Sequence, residues 1–144
     1  NNAILEASIT AAIKQNVFIV AAAGNQGPAS LPLYPGAYKS VIAVSAIDAT
    51  NHIYRWSNKG DYIDFTALGV NVVTSQGNGK FGRESGTSMA APHVSAALSC
   101  LLLKHGNNKT KALNELTSLA VDLGEQGKDT TFGYGAIYPP KSAL

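Results

Sequence analysis

The fold is decided by residues 17–23 (VFIVAAA), a continuous apolar run that is rich in β-branched side chains and ends at the turn-forming residues 24–28 (GNQGP). A run without polar alternation is typical of a strand that is covered on both faces, as in a parallel sheet. Residues 41–47 (VIAVSAI) form a second run of this kind, and residues 63–67 predict a shorter third strand. The sequence therefore predicts a buried sheet with a polar loop that begins at residue 24.

Helical periodicity accompanies these strands. After residue 88, Val94, Leu98 and Leu101 have the spacing of one helical face, and Gly106 follows as a stop signal. Strands that alternate with helices predict an α/β domain with parallel strands, in which sites form where loops leave the carboxyl ends of strands. The predicted helices span residues 2–15, 89–104 and 110–120, and a predicted hairpin pairs residues 71–75 with residues 80–83.

Composition narrows the classes of protein to which the chain can belong. The 144 residues are 45% apolar and 14% charged, which suits a packed core. The net charge is only +2 and the Lys and Arg residues are scattered, which argues against nucleic-acid binding. No stretch reaches the roughly 18 to 20 apolar residues that span a membrane. Cys100 is the only cysteine, so no internal disulfide can form, and its apolar neighbours predict an inert buried thiol.

Ser88 is a candidate nucleophile from its position alone. It lies close to the start of the predicted long helix, and the small residues Gly86, Ala90 and Ala91 leave its hydroxyl approachable. A helix N-terminus offers unpaired N–H groups and a partial positive charge, which favour an anion forming beside the serine. A serine before a helix is more often simply the N-cap residue, so position alone leaves both interpretations open.

Asn25 is a candidate for binding such an anion. It follows the first predicted strand, where its side-chain amide could be aimed at a reacting carbonyl oxygen whose charge develops in the transition state. The alternative is an asparagine that merely caps a turn and tolerates an unusual backbone conformation. Taken by itself, Asn25 fits the turn interpretation at least as well.

The wider context resembles one family. Residues 86–94 (GTSMAAPHV) closely resemble the nucleophile segment of the subtilisin-like serine proteases, and residues 21–27 (AAAGNQG) resemble the segment that carries the family's oxyanion-hole asparagine. Further similarities extend the resemblance over nearly the whole chain, at residues 34–38, 41–44, 56–60, 64–69 and 132–135. The resemblance implies a three-layer α/β/α domain with a mostly parallel sheet.

The same resemblance implies a serine endopeptidase that acts through an acyl-enzyme at Ser88, with Asn25 in the oxyanion hole. No cofactor or metal is expected in the chemistry, and the expected partner is a polypeptide substrate. Leu33 stands where many family members have a small residue, which implies a shallow pocket. The pocket for the substrate residue on the N-terminal side of the scissile bond is expected to include Ala22, Ala23, Gly24 and Leu33.

Subtilases use Asp, His and Ser in that chain order. The resemblance therefore implies that residues 1–144 are the C-terminal portion of one catalytic domain. Its Asp and His motifs are expected upstream, and the N-terminal remainder of that domain is an expected partner. His93 follows Ser88 by about one helical turn and is expected to be structural rather than the base. His52 and His105 are expected on the surface. We expect residues 1–144 alone to be inactive, and the resemblance implies a secreted protein.

The resemblance also implies a weakly bound structural cation, calcium or sodium, near Gly36, Tyr38, Val41 and Asp64. Two other functional classes stay open. One is a non-catalytic subtilase-like domain used for binding or as a scaffold, against which the presence of both Ser88 and Asn25 argues. The other is a nucleotide-binding domain, suggested only by the GxGxxG pattern of residues 77–82, for which a hairpin turn is the better interpretation.

Overall fold

The computed structural model describes residues 2–77 and 79–139. Its helices and strands are α1 (Ala3–Lys14), β1 (Val20–Ala22), β2 (Ile42–Ile47), β3 (Ile63–Leu68), β4 (Val72–Ser75), β5 (Phe81–Glu84), α2 (Thr87–Lys104) and α3 (Lys109–Leu119). Strands β1, β2 and β3 form a parallel sheet in that order, and β4 pairs with β5 as an antiparallel hairpin. The predicted α/β class, its parallel sheet and the hairpin are confirmed.

The sheet separates two apolar clusters, because successive side chains of a strand point to opposite faces. Ile42, Val44 and Ala46 of β2 belong to the main core, which α2 and α3 cover. Val41, the residue before β2, packs instead with Ile9 of α1. Helix, sheet and helices therefore form three layers, as the resemblance implied.

Strand β1 is shorter and less covered than its apolar sequence predicted. Only Val20–Ala22 pair with β2, and all three residues are half-buried. Within the described residues β1 has a neighbour on one side only, so its other edge is open. The chain leaves β1 through the buried Ala23 and then forms the loop that contains Asn25, at the carboxyl end of the strand where the sequence predicted a site.

Helix α2 begins two residues earlier than predicted. Gly86 is its N-cap and supplies no side-chain hydrogen bond, so Ser88 is not the cap residue but lies in the first turn. Pro92 falls in the second turn, where its missing N–H leaves the carbonyl of Ser88 without its helical partner. The N-cap interpretation of Ser88 is therefore wrong.

The buried stripe of α2 also corrects the prediction for the single cysteine. Ala90, Val94, Leu98 and Leu101 face the core, whereas Cys100 is exposed on another face of the helix. The apolar neighbours of Cys100 in sequence are thus not all its neighbours in space. No helix among the described residues combines the length and apolar character needed to cross a membrane.

The C-terminal segment returns to the sheet and is tied to β3. The N–H of Tyr134 donates to the carbonyl of Asp64, and the N–H of Ile137 donates to the carbonyl of Thr66. Close approach of the two backbones requires glycine at position 133, because a Cβ there would lie 2.2 Å from the Asp64 carbonyl oxygen. The glycine-rich tail therefore packs as part of the domain.

Candidate active site

Ser88 and Asn25 meet at the carboxyl edge of the sheet. The carbonyl-type oxygen Oδ1 of Asn25 accepts hydrogen bonds from the backbone N–H of Thr87, at 2.9 Å, and from the Thr87 hydroxyl, at 3.1 Å. Thr87 is fully buried, whereas Ser88, the next residue, is exposed. The structure therefore brings together the two residues that the sequence singled out.

These contacts fix the orientation of the Asn25 amide. A backbone N–H can only donate, so the atom facing Thr87 must be the oxygen, and the amide nitrogen Nδ2 is left to donate elsewhere. Gly86 leaves room for this amide, since a Cβ at that position would lie 3.3 Å from Nδ2. Asn25 itself is exposed, so Nδ2 is available to a ligand beside Ser88.

The N–H group of Ser88 in the first turn of α2 is available to a ligand. The N–H of Thr87 donates to Asn25, and the N–H of Met89 donates to the carbonyl of Gly86 at 3.0 Å. Within residues 2–77 and 79–139, the N–H of Ser88 has no acceptor. An unpaired helix N–H and the Asn25 amide together can stabilise an anion.

The four residues expected to form the substrate pocket lie around this loop. Gly24 has a φ of +116°, and a Cβ there would lie 2.6 Å from Cδ1 of Leu33, so these two residues are in direct proximity. Ala22 is half-buried in β1, and the carbonyl of the buried Ala23 accepts a hydrogen bond from the Tyr62 hydroxyl at 2.9 Å. Burial raises the pKa of Tyr62, which keeps this hydroxyl protonated as a donor.

No hydrogen bond in the described part of the chain joins Ser88 to a histidine. His93 lies five residues further along α2, about 7.5 Å in axial rise. His52 is exposed and contacts Thr50, with its Nδ1 2.8 Å from the hydroxyl. His105 is only half-buried, not fully on the surface as predicted, and its Nε2 lies 2.5 Å from a carboxylate oxygen of Glu115.

The expected cation ligand Asp64 already has partners on both carboxylate oxygens. Its Oδ2 accepts a hydrogen bond from the N–H of Ala43 at 3.0 Å, and its Oδ1 accepts one from Nζ of Lys128 at 2.9 Å. The Lys128 ammonium also lies 5.1 Å from the centre of the Tyr134 ring. The residues present therefore do not fit a cation that uses Asp64 as a ligand, because the Lys128 ammonium already pairs with this carboxylate.

Two other features lie apart from this site. A cavity of about 710 Å³, lined by Phe18, Val41, Asp64 and Leu113 among others, opens at the amino ends of the strands, the edge opposite to Asn25. The GxGxxG pattern lies in the β4–β5 hairpin rather than between a strand and a helix, and its Asn78 is outside the described residues. The nucleotide-binding interpretation therefore lacks its required structural context.

Thr87 and Asn58 are the residues of this site that sequence reasoning missed. Thr87 orients Asn25, and it also accepts a hydrogen bond from the N–H of Gly24 at 3.2 Å. Asn58 is fully buried beneath the Asn25 loop, where its Oδ1 accepts a hydrogen bond from the N–H of Gln26. The adjacency of Thr87 to Ser88 was a usable signal. Asn58 lies in a segment that resembles the family, but only the structure shows that its side chain is buried beneath the Asn25 loop.

Comparisons with known proteins identify the family of the chain. The model of the subtilase family (Peptidase_S8) matches residues 1–135. The chain is 38% identical over 135 residues to the minor extracellular protease Epr of Bacillus subtilis (strain 168), covering 93% of this chain and 21% of Epr. It is 40% identical over 101 residues to the major intracellular serine protease of the same organism, covering 67% of this chain and 32% of that protein.

A solved structure supports the same assignment. The crystal structure of a lanthipeptide protease superposes with a TM-score of 0.81 at 26% identity, covering 92% of this chain and 51% of that one. The chain thus spans between about one fifth and one half of the length of these three proteins. On the match over residues 1–135, together with this fold, the chain belongs to the subtilase family.

Proposed function

We propose that the protein containing this chain is a serine endopeptidase that cleaves peptide bonds through an acyl-enzyme at Ser88, with Asn25 in the oxyanion hole. The observation that carries the proposal is the orientation of the Asn25 amide, whose Oδ1 is held by Thr87 while Nδ2 is left free beside Ser88. Membership of a family of serine proteases supports the reaction class.

The residues of this chain account for one half of the reaction. The Ser88 hydroxyl oxygen attacks the carbonyl carbon of the scissile peptide bond, and the carbonyl oxygen becomes negatively charged. The N–H of Ser88 and Nδ2 of Asn25 donate hydrogen bonds to that oxygen, and both donors are in place before the charge develops. When the tetrahedral intermediate collapses, the C–N bond breaks, the amine leaves with the proton that the base took from the Ser88 hydroxyl, and the acyl group stays on Ser88.

The proton of the Ser88 hydroxyl must pass to a base. We propose that residues 1–144 do not supply this base. His52 and His105 contact Thr50 and Glu115, and His93 lies further along α2. Without a base a serine is a weak nucleophile, so we propose that this chain alone, as the C-terminal portion of the catalytic domain, is inactive. The N-terminal remainder of that domain would supply the histidine and the aspartate.

An active-site fluorophosphonate tests the proposal. The intact protein should be labelled stoichiometrically at Ser88 and should hydrolyse peptides, and Ser88→Ala should abolish both. Residues 1–144 alone should not be labelled. Stoichiometric labelling of the isolated chain would refute the need for an external base. An intact protein that neither reacts nor cleaves would instead favour a non-catalytic domain used for binding or as a scaffold.

We also propose that the protein is secreted and acts on polypeptides outside the cell. Support comes from the relative named as an extracellular protease, although another relative is named as intracellular. Fractionation of the producing cells, followed by fluorophosphonate labelling of medium and lysate, tests this part separately. Labelling confined to the lysate would contradict it.

A further inference from the structure

Asn58 lies directly beneath the loop that carries Asn25. It follows β2 in the chain, in the connection that leads to β3, and its side chain is fully buried. Its Oδ1 accepts a hydrogen bond from the N–H of Gln26 at 2.9 Å. Its own backbone N–H donates to the carbonyl of Gly24 at 3.0 Å. Asn58 therefore holds the residues on both sides of Asn25.

Neighbouring contacts strengthen this attachment. The N–H of Gly27 donates to the carbonyl of Trp56 at 2.9 Å, so three hydrogen bonds join the loop to residues 56–58. The Asn58 side chain also packs against Gly24, where an added Cβ would lie 2.6 Å from its Nδ2. Glycine at position 24 is what allows the approach.

Two different residues therefore determine where Asn25 is and how it points. Thr87 holds the side-chain oxygen of Asn25, which sets the direction of the amide. Asn58 holds the backbone before and after Asn25, which sets the position from which that amide extends. Since a misplacement of about 1 Å in a catalytic group can lower a rate about 100-fold, the backbone anchor matters as much as the side-chain contact.

We propose that Asn58 is a positioning residue for the oxyanion hole. It acts through Asn25 and is hydrogen-bonded to the Asn25 loop rather than to Ser88. The inference rests on the proposed function, because it assumes that Nδ2 of Asn25 stabilises the transition state. It assigns to a residue about 30 positions away in the chain the task of holding that donor in place.

The test uses the intact protein with a peptide amide substrate, and every rate is expressed per active site titrated with fluorophosphonate. Asn58→Ala should lower kcat about tenfold and change KM less than twofold, because the oxyanion exists only in the transition state. The reference is Asn25→Ala, for which the established loss in subtilisin itself is about 10²–10³-fold in kcat. In the double variant, Asn58→Ala should lower kcat less than twofold further, because the group that it positions is gone.

Ser45→Ala is the matched control. Ser45 is also fully buried, and its hydroxyl donates to the carbonyl of Thr131 at 2.9 Å, away from Ser88. It should lower thermal stability while leaving kcat per titrated site unchanged. If Asn58→Ala cannot be titrated because it does not fold, Asn58→Ser carries the same test, since its shorter side chain lacks the amide oxygen.

The possible failures are distinguishable. A full tenfold loss from the Asn58 substitution in the Asn25→Ala background would overturn the positioning role but leave the proposed function intact. Unchanged kcat in both Asn58 variants would also overturn it. If Asn25→Ala itself leaves kcat unchanged, the proposed oxyanion hole is wrong, whatever the Asn58 variants show.

Discussion

Replacement of Lys128 by methionine removes the charge that pairs with Asp64 and keeps most of the side-chain volume. The pair is partly exposed, with 32% of the Lys128 side chain and 24% of the Asp64 side chain accessible. Exposed ion pairs contribute about 0.2–1 kcal/mol, whereas removing one partner of a buried pair costs about 3–5 kcal/mol. For this partly exposed pair, we expect the substitution to lower the free energy of unfolding by an intermediate amount, about 1–2 kcal/mol. At about 2–4 °C per kcal/mol, the value for domains of 150–250 residues, this loss corresponds to a fall in Tm of about 2–8 °C.

Thermal unfolding of the intact protein measures this loss, in a Ser88→Ala background so that self-digestion does not interfere. Lys111→Met is the control, because Lys111 is exposed on α3 and forms no ion pair with any described residue. Calcium or sodium, at matched ionic strength, should stabilise Lys128→Met more than the parent, because the substitution frees the Asp64 carboxylate. If the two Met variants have equal Tm, or the parent gains as much from the cation, Lys128 does not occupy the place of a bound ion.

Three further outcomes follow from other contacts. Thr87→Val, which removes the hydroxyl that donates to Asn25, should lower kcat about five- to tenfold at constant KM, and steady-state kinetics will measure it. Hydrogen bonds from Lys104, and then from His105, lower the pKa of Glu115 below its ordinary value of 4.5. Ionised Glu115 therefore stabilises the fold above pH 4.5, and this stabilisation is lost as the pH falls through the lowered pKa. Urea midpoints of wild type and Glu115→Gln should thus converge as the pH falls through the lowered pKa of Glu115. Leu33→Gly should deepen the proposed pocket. In a peptide-library assay, it should raise kcat/KM for substrates with a bulky residue before the scissile bond at least about tenfold relative to substrates with alanine there.

Apolar runs and helical periodicity were sufficient to predict the elements of this fold, because they reflect burial. The second run corresponds to β2, Ile42–Ile47, in which all residues are buried. The first run gave a strand of only three residues, since strand length depends on pairing with a neighbour and not on composition. The start of α2 was missed because Gly86 caps the helix without the side-chain oxygen that usually marks a helix N-terminus.

The candidate reactive groups could be singled out from the sequence, but the residues that contact them in the fold could not. Ser88 and Asn25 lie in distinctive segments, and their small neighbours indicated accessible positions. Asn58 is an asparagine in a polar connection, and only the fold places it beneath Gln26. Lys128 likewise meets Asp64 through a contact between segments 64 residues apart. Such contacts have no period and no local spacing, so a single sequence does not reveal them.

The distribution of burial in the site explains how exposed groups can be preorganised. The proposed function requires Ser88 and Asn25 to be accessible to substrate, and both are exposed. An exposed amide on a loop would sample several orientations if water were its only partner, and each would reduce the time that Nδ2 spends near the oxyanion. Thr87 and Asn58, both fully buried, remove that freedom by holding the Asn25 side chain and its flanking backbone. The sensitivity of catalysis to mutation should therefore extend one layer inward, to buried polar residues that never contact the substrate.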